Sequence, residues 1–134
     1  MAIEWDEAKF GTGLPEIDAQ HREWLGRFNE FDNAVSNGQG REVIFGALAF
    51  MVQYTEIHFS LEEARMAELG CPARDANRAA HDQFRTRLDE MLSWLEKTRP
   101  TSVEVVTLQQ ELEEWLTTHI STIDMQLRYV SPNQ

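Results

Sequence analysis

Six side chains in this sequence have the types and spacing of a metal site. The four histidines each fall on the apolar stripe of a different predicted helix, at His21, His58, His81 and His119. Two of them are followed by a carboxylate, Glu62 four residues after His58 and Asp124 five residues after His119. Burying such groups without partners costs several kcal/mol. A bound metal would satisfy them together, so the sequence predicts a metal centre inside a helical protein.

The ligand types and their number indicate which metal such a centre would hold. Four imidazoles and two carboxylates are too many for one tetrahedral zinc ion, and magnesium and calcium prefer oxygen ligands. Mixed nitrogen and carboxylate ligands suit pairs of iron, manganese or zinc ions. Two irons fit best, because a redox-active metal with open coordination positions would give such a site a function. The alternative is four separate core histidines, each with its own hydrogen bond.

Apolar residues at three- and four-residue steps predict the four helices that position these side chains. The expected ranges are 18–36, 41–69, 74–98 and 101–129, after an irregular arm over residues 1–17. Thr101 and Glu104 fit a capping box at the start of the fourth helix. Long helices with short connections predict an all-α fold, an up-down-up-down antiparallel four-helix bundle. The whole chain, 1–134, is expected to form one domain, with the bundle over 18–130.

This topology brings the polar residues to one level. His21 and His81 stand near the starts of their helices, whereas His58 and His119 stand near the ends of theirs. Neighbouring helices of such a bundle run antiparallel, so all four positions lie toward the same end. We therefore expect a single layer of ligands.

Composition argues against several other functions. The net charge of −11 disfavours nucleic acid and anionic membranes as partners, since both attract basic surfaces. No apolar run is expected to reach the length of a membrane span, and the N-terminus lacks the pattern of a secretory signal. Cys71 is the only cysteine. An internal disulfide is therefore excluded, and a reducing cytoplasm is the expected location.

The joint motif resembles the hemerythrin family, and bacterial hemerythrins in particular. The spacing is not that of ferritin-like di-iron proteins, which use Glu-x-x-His; here no glutamate stands three residues before a histidine. The resemblance covers nearly the whole chain and is carried by Trp5…Gly13…Ile17-Asp18-Ala19-Gln20-His21, His58-Phe59-Ser60-Leu61-Glu62-Glu63 and Trp115-Leu116-Thr117-Thr118-His119-Ile120…Asp124.

The resemblance implies a non-haem di-iron centre that binds dioxygen directly. It assigns His21 and His58 to one iron and His81 and His119 to the other. Glu62 and Asp124 would bridge the two irons, together with an oxo or hydroxo group. The apolar oxygen pocket of the family matches Trp24, Phe59, Trp115, Leu116 and Ile120, which would pack in the core in any case.

One position departs from the family pattern. Asn77 stands four residues before His81, where the family usually supplies a fifth histidine at the second iron. We expect either a weak amide ligand or a position left to water or an anion. Asp18 is expected to orient His21 as a hydrogen-bond acceptor or to cap the first helix. Glu63 is expected to be a solvated charge.

Three functions follow from these expectations. The first is an oxygen or redox sensor with a fast-oxidising site, whose last residues, 129–134, lead into a fused output such as a diguanylate cyclase or chemotaxis module. The second is a stand-alone oxygen carrier or store. The third is a peroxidase-like or nitric-oxide-reducing enzyme, although no general acid or base beyond the ligands is evident. The expected partners are dioxygen or small anions, with a fused or separate signalling protein.

Overall fold

The computed structural model describes residues 3–130, and four long helices form the bundle within them. They are α2 (Pro15–Ser36), α3 (Arg41–Glu68), α4 (Arg74–Lys97) and α5 (Ser102–Thr122), preceded by a short helix α1 (Glu7–Phe10) and followed by a 3₁₀ segment (Asp124–Tyr129). Helix α2 packs against α3 and α5, and α3 packs against α4. The predicted all-α bundle is confirmed. Residues 131–134, part of the expected link to an output module, lie outside the described residues.

Local sequence explains where the long helices begin and end. Helix α2 begins at Pro15, three residues before the expected start, because proline fits the first turn, where its missing N–H is not needed. Gly38 and Gly70 follow α2 and α3 with positive φ angles of 65° and 63°, which glycine adopts without steric cost. The capping box is confirmed, since Thr101 and Glu104 each accept a hydrogen bond from the other's backbone N–H.

The core is apolar and rich in aromatic rings. Its fully buried members include Trp24, Phe28, Phe31, Phe59, Leu112 and Leu116. The N-terminal arm is more ordered than expected, because α1 forms within it behind the N-cap Asp6. Arg128 donates to the carbonyl of Gly11 at 2.7 Å and so holds the arm against the bundle. The arm also lies beside the start of α2, where Thr12 donates hydrogen bonds to Asp18.

Helix α3 is the most apolar of the long helices. Within Arg41–Leu69, an 18-residue window has a mean hydropathy of 1.2, so by length and composition alone this helix could cross a membrane. The same helix packs against α2 and α4 and buries His58 and Glu62 on its inner stripe. Those contacts are typical of the core helix of a bundle.

Candidate metal centre

Six polar side chains meet at one end of the bundle, and each is at most 4% exposed. They are His21 from α2, His58 and Glu62 from α3, His81 from α4, His119 from α5 and Asp124 from the 3₁₀ segment. Their side-chain N and O atoms form two groups that share the carboxylates, and within each group the atoms lie within 4.8 Å of one another. The structure thus brings together every residue expected in the ligand layer.

The first group joins two histidines to one oxygen of each carboxylate. Nε2 of His21 lies 3.1 Å from Oε2 of Glu62 and 3.1 Å from Oδ2 of Asp124. Nε2 of His58 lies 3.2 Å from the same oxygen of Glu62. Both rings therefore point a nitrogen at a common space between α2 and α3.

The second group uses the remaining oxygen of each carboxylate. Nε2 of His81 lies 3.2 Å from Oε1 of Glu62, and Nε2 of His119 lies 3.0 Å from Oδ1 of Asp124. The two Nε2 atoms are 3.1 Å apart. Each carboxylate thus presents one oxygen to each group, which is how a carboxylate bridges two metal ions.

Both the spacing and the unsatisfied atoms fit a pair of metal ions. A metal that binds ligands at about 2.1 Å, with right angles between them, places adjacent ligands about 3 Å apart. The separations above match that distance. Among the described residues, Nε2 of His58, Oε1 of Glu62 and both carboxylate oxygens of Asp124 have no hydrogen-bond partner. Buried polar atoms are nearly always partnered in folded proteins, so these four atoms have the character of metal ligands.

Asp124 reaches the centre because α5 changes its winding. On a continuous α-helix, a residue five positions after His119 would be turned about 140° away from it. Helix α5 ends at Thr122, and a 3₁₀ segment begins at Asp124, where the sequence predicted an unbroken helix to Tyr129. The side chain of Asp124 is fully buried as a result.

Burial and neighbouring charges both shift the pKa values of the cluster. Burial lowers the pKa of His21, but the carboxylates of Asp124 and Glu62, each 3.1 Å from its Nε2, raise it to about 9. Burial likewise lowers the pKa of His119, yet Asp124 brings it above its ordinary value. Burial holds the pKa of His58 low. Burial raises the pKa of Glu62, but the nearby histidines keep it well below its usual range. Burial and the neighbouring carboxylates thus act in opposite directions on the pKa values of His21 and His119.

Asn77, one turn before His81 on α4, lies beside the second group. The residue is fully buried, and its Oδ1 is 2.9 Å from Nε2 of His119. Its Nδ2 has no hydrogen-bond partner among the described residues. An amide oxygen therefore stands at the edge of the second group.

Two of the four histidines have a hydrogen-bond partner at Nδ1, the ring nitrogen that faces away from the centre. Nδ1 of His58 donates to Oε1 of Gln20 at 3.0 Å, and Nδ1 of His81 donates to Oε2 of Glu63 at 2.8 Å. Such partners fix the tautomer that leaves Nε2 free for a metal. Glu63 was expected to be solvated, but its side chain is only 18% exposed. Sequence reasoning missed both partners, although Gln20 and Glu63 stand directly beside ligand-type residues.

Asp18 does not orient His21. Its Oδ1 accepts hydrogen bonds from the backbone N–H of Thr12 at 2.9 Å and from the Thr12 hydroxyl at 2.8 Å. Nδ1 of His21 has no hydrogen-bond partner in the described part of the chain. The carboxylate of Asp18 therefore ties the N-terminal arm to α2, and the expected role as an acceptor for His21 is wrong.

Aromatic rings surround the six polar residues. Phe59 stacks on His81 with ring centroids 3.6 Å apart, and Trp115 stacks on His119 at 4.4 Å. The ring centroids of Trp24 and His58 are 4.9 Å apart. The expected pocket residues Leu116 and Ile120 are fully buried in the same apolar cluster.

Phe84 completes this aromatic shell. Its ring stacks on Trp115 with centroids 3.7 Å apart. Phe84 was not among the expected site residues, although it follows His81 by three residues on the same helix. Periodicity could show that this ring faces inward, but not which ring it would meet.

A helical bundle that buries four imidazoles around two shared carboxylates defines a class of protein, the binuclear metal-binding bundles. The family model of the hemerythrin HHE cation binding domain matches residues 12–128. The chain belongs to this family, which binds a di-iron centre, and its two groups of histidine and carboxylate side chains could hold metal ions.

Similar proteins agree with that assignment. A bacteriohemerythrin of Stenotrophomonas maltophilia is 32% identical over 120 residues, covering 90% of this chain and 76% of the relative. A bacteriohemerythrin of Methylococcus capsulatus is 27% identical over 121 residues, covering 90% and 89%. The crystal structure of a wild-type hemerythrin superposes with a TM-score of 0.85 at 22% identity, over 97% of this chain and 98% of that one. The last comparison concerns the fold alone.

Proposed function

We propose that the two groups of side chains each hold one iron, with Glu62 and Asp124 bridging the pair. The main support is that each carboxylate presents one oxygen to each group. These oxygens lie 3.0–3.2 Å from the Nε2 atoms of the histidines. His21 and His58 would bind one iron, and His81 and His119 the other. When bound, such a pair supplies redox chemistry and open positions for dioxygen or a small anion.

The aromatic and aliphatic side chains around the centre would form the dioxygen pocket. Trp24, Phe59, Leu116 and Ile120 are fully buried, and Trp115 covers His119. An apolar wall admits a small neutral molecule and disfavours water and ions, because charged species lose their hydration there. Trp24 keeps its indole N–H away from the centre by donating it to Thr55 at 2.7 Å.

Within this family, we propose that the domain reports oxygen or redox state in the cytoplasm to a fused or separate signalling partner. The supporting observation is Asn77, whose amide oxygen lies where a further imidazole would complete the second iron's ligands. A neutral amide oxygen binds iron more weakly than an imidazole. Water or an anion can therefore replace it and promote oxidation of the iron, which suits a sensor better than a reversible store.

The test compares the parent with the variant Asn77→His after anaerobic loading with Fe²⁺. The added imidazole should close the exchangeable position and slow oxidation in air about tenfold, a change of about 1.4 kcal/mol in the barrier. Asn33→His is the matched control, since Asn33 is exposed on α2 and should leave the rate unchanged. Stopped-flow absorbance of the visible charge-transfer bands gives the rates.

Two results would contradict the proposal. Equal oxidation rates in the parent and Asn77→His would remove the role of Asn77. A parent whose visible band persists for hours in air would favour an oxygen carrier instead.

A further inference from the structure

Three of the imidazoles of the centre differ in what their Nδ1 atoms contact. Nδ1 of His81 donates to a carboxylate, Glu63, at 2.8 Å. Nδ1 of His58 donates to a neutral amide, Gln20, at 3.0 Å. Nδ1 of His21 has no hydrogen-bond partner within residues 3–130. A carboxylate therefore supports the second group of ligands, which is the group that has Asn77 beside it.

Glu63 is held in place as a charged acceptor. Its Oε2 also accepts a hydrogen bond from Nη2 of Arg85 at 3.0 Å, and Nε of Arg78 lies 3.9 Å from its Oε1. These two guanidinium groups hold the Glu63 carboxylate beside His81. Because Nδ1 of His81 donates to this carboxylate, the ring is oriented with Nε2 facing the metal position.

Arg85 is itself fixed by two further carboxylates. It donates to Glu56 at 2.8 Å and 3.2 Å and to Asp82 at 2.7 Å. Its side chain is 25% exposed, and its guanidinium carbon lies 5.2 Å from the ring centroid of Phe59. Because Phe59 stacks on His81, the same arginine borders both the ring and the acceptor of His81.

We propose that Glu63 is a positioning residue that sets the tautomer of His81 and strengthens its donation to the second iron. A carboxylate that accepts from the outer nitrogen makes an imidazole a more basic ligand and stabilises the higher charge of the metal. It thereby supplies at the second iron part of the electron donation that an amide at Asn77 lacks. This inference rests on the proposed function, because it requires His81 to be an iron ligand.

The test uses Glu63→Gln, with Glu56→Gln as the matched control. Both substitutions remove one carboxylate charge from α3 next to Arg85, seven residues apart, but only Glu63 contacts His81. Each protein is loaded with Fe²⁺ without oxygen. Iron content, iron loss to a chelator and the midpoint potential are then measured.

We expect Glu63→Gln to lose one of its two irons to the chelator about 10- to 100-fold more readily than the parent, the usual effect of removing a carboxylate partner of a ligating histidine. Its one-electron midpoint potential should rise by about 60 mV, a tenfold change in the equilibrium constant. Glu63→Asp, which keeps the charge, should return the potential toward that of the parent. Glu56→Gln should match the parent in both measurements.

The outcomes separate this inference from the proposed function. A parent that binds less than about one iron after loading overturns the proposed function, and the inference with it. A parent with two irons whose potential and chelator resistance are unchanged in Glu63→Gln overturns the inference alone. Equal shifts in Glu63→Gln and Glu56→Gln also overturn it, because the effect would then come from net charge rather than from the contact with His81.

Discussion

Removing the iron should lower the free energy of unfolding of the bundle by an amount that depends on the number of iron sites and their affinity. Six side chains from four helices and the 3₁₀ segment converge there, so bound iron links every long helix of the bundle. An ion that binds only the folded chain stabilises it by about 2.7 kcal/mol when its free concentration is 100 times the dissociation constant. Two such sites would contribute about 5 kcal/mol. In a domain of this size, that corresponds to a rise of roughly 15–20 °C in the melting temperature.

Glu62→Gln isolates this contribution. The substitution keeps the volume of a fully buried side chain but leaves an amide, which cannot offer a carboxylate oxygen to both groups. We expect the variant to lose most of the stabilisation by iron. Glu96→Gln is the matched control, because Glu96 is exposed on α4 and should retain the full effect.

The assay is thermal unfolding followed by circular dichroism, with and without Fe²⁺ under anaerobic conditions. Iron content is measured on the same samples. The reasoning is refuted if iron binds stoichiometrically but leaves the melting temperature of the parent within about 2 °C of the iron-free value, a shift of less than about 1 kcal/mol. An undiminished shift in Glu62→Gln would refute the bridging role of that residue.

Two further predictions concern protons and the N-terminal arm. The pKa of His21 is raised to about 9, so its charge stabilises the iron-free fold fully below pH 6.5, and this contribution disappears as the pH rises through about 9. Iron must displace that proton, so loading at pH 7.5 in weak buffer should release protons to an indicator dye; no release would contradict the assignment. Asp18→Ala should cost about 1–3 kcal/mol in urea unfolding, because it leaves the N–H and hydroxyl of the buried Thr12 unpaired, yet both irons should remain. Loss of iron from this variant would show that Asp18 does act on the centre.

The sequence was sufficient to predict the bundle and the inventory of the site. Apolar residues at helical spacing predicted four long helices, and the histidines lay on their inner stripes. Antiparallel packing then brings His21, His58, His81 and His119 to one level, because helix ends alternate along the bundle. The fold and the family resemblance followed from this periodicity and these motifs, and both are confirmed.

Only the tertiary structure decided which neighbours these residues have. Glu63 follows Glu62 in the sequence, so its side chain points about 100° away from that of Glu62 around the helix. This direction predicted a solvated charge. In the structure, α4 packs against that side of α3 and brings His81 into contact with Glu63. Asp18 could equally have served His21, but the folded arm brings Thr12 to its carboxylate. Asp124 reaches the centre only through the 3₁₀ segment after α5. Helical periodicity predicts the direction in which a side chain leaves its own helix. The contacts of these three carboxylates depend instead on where other segments of the backbone lie, and periodicity does not give that information.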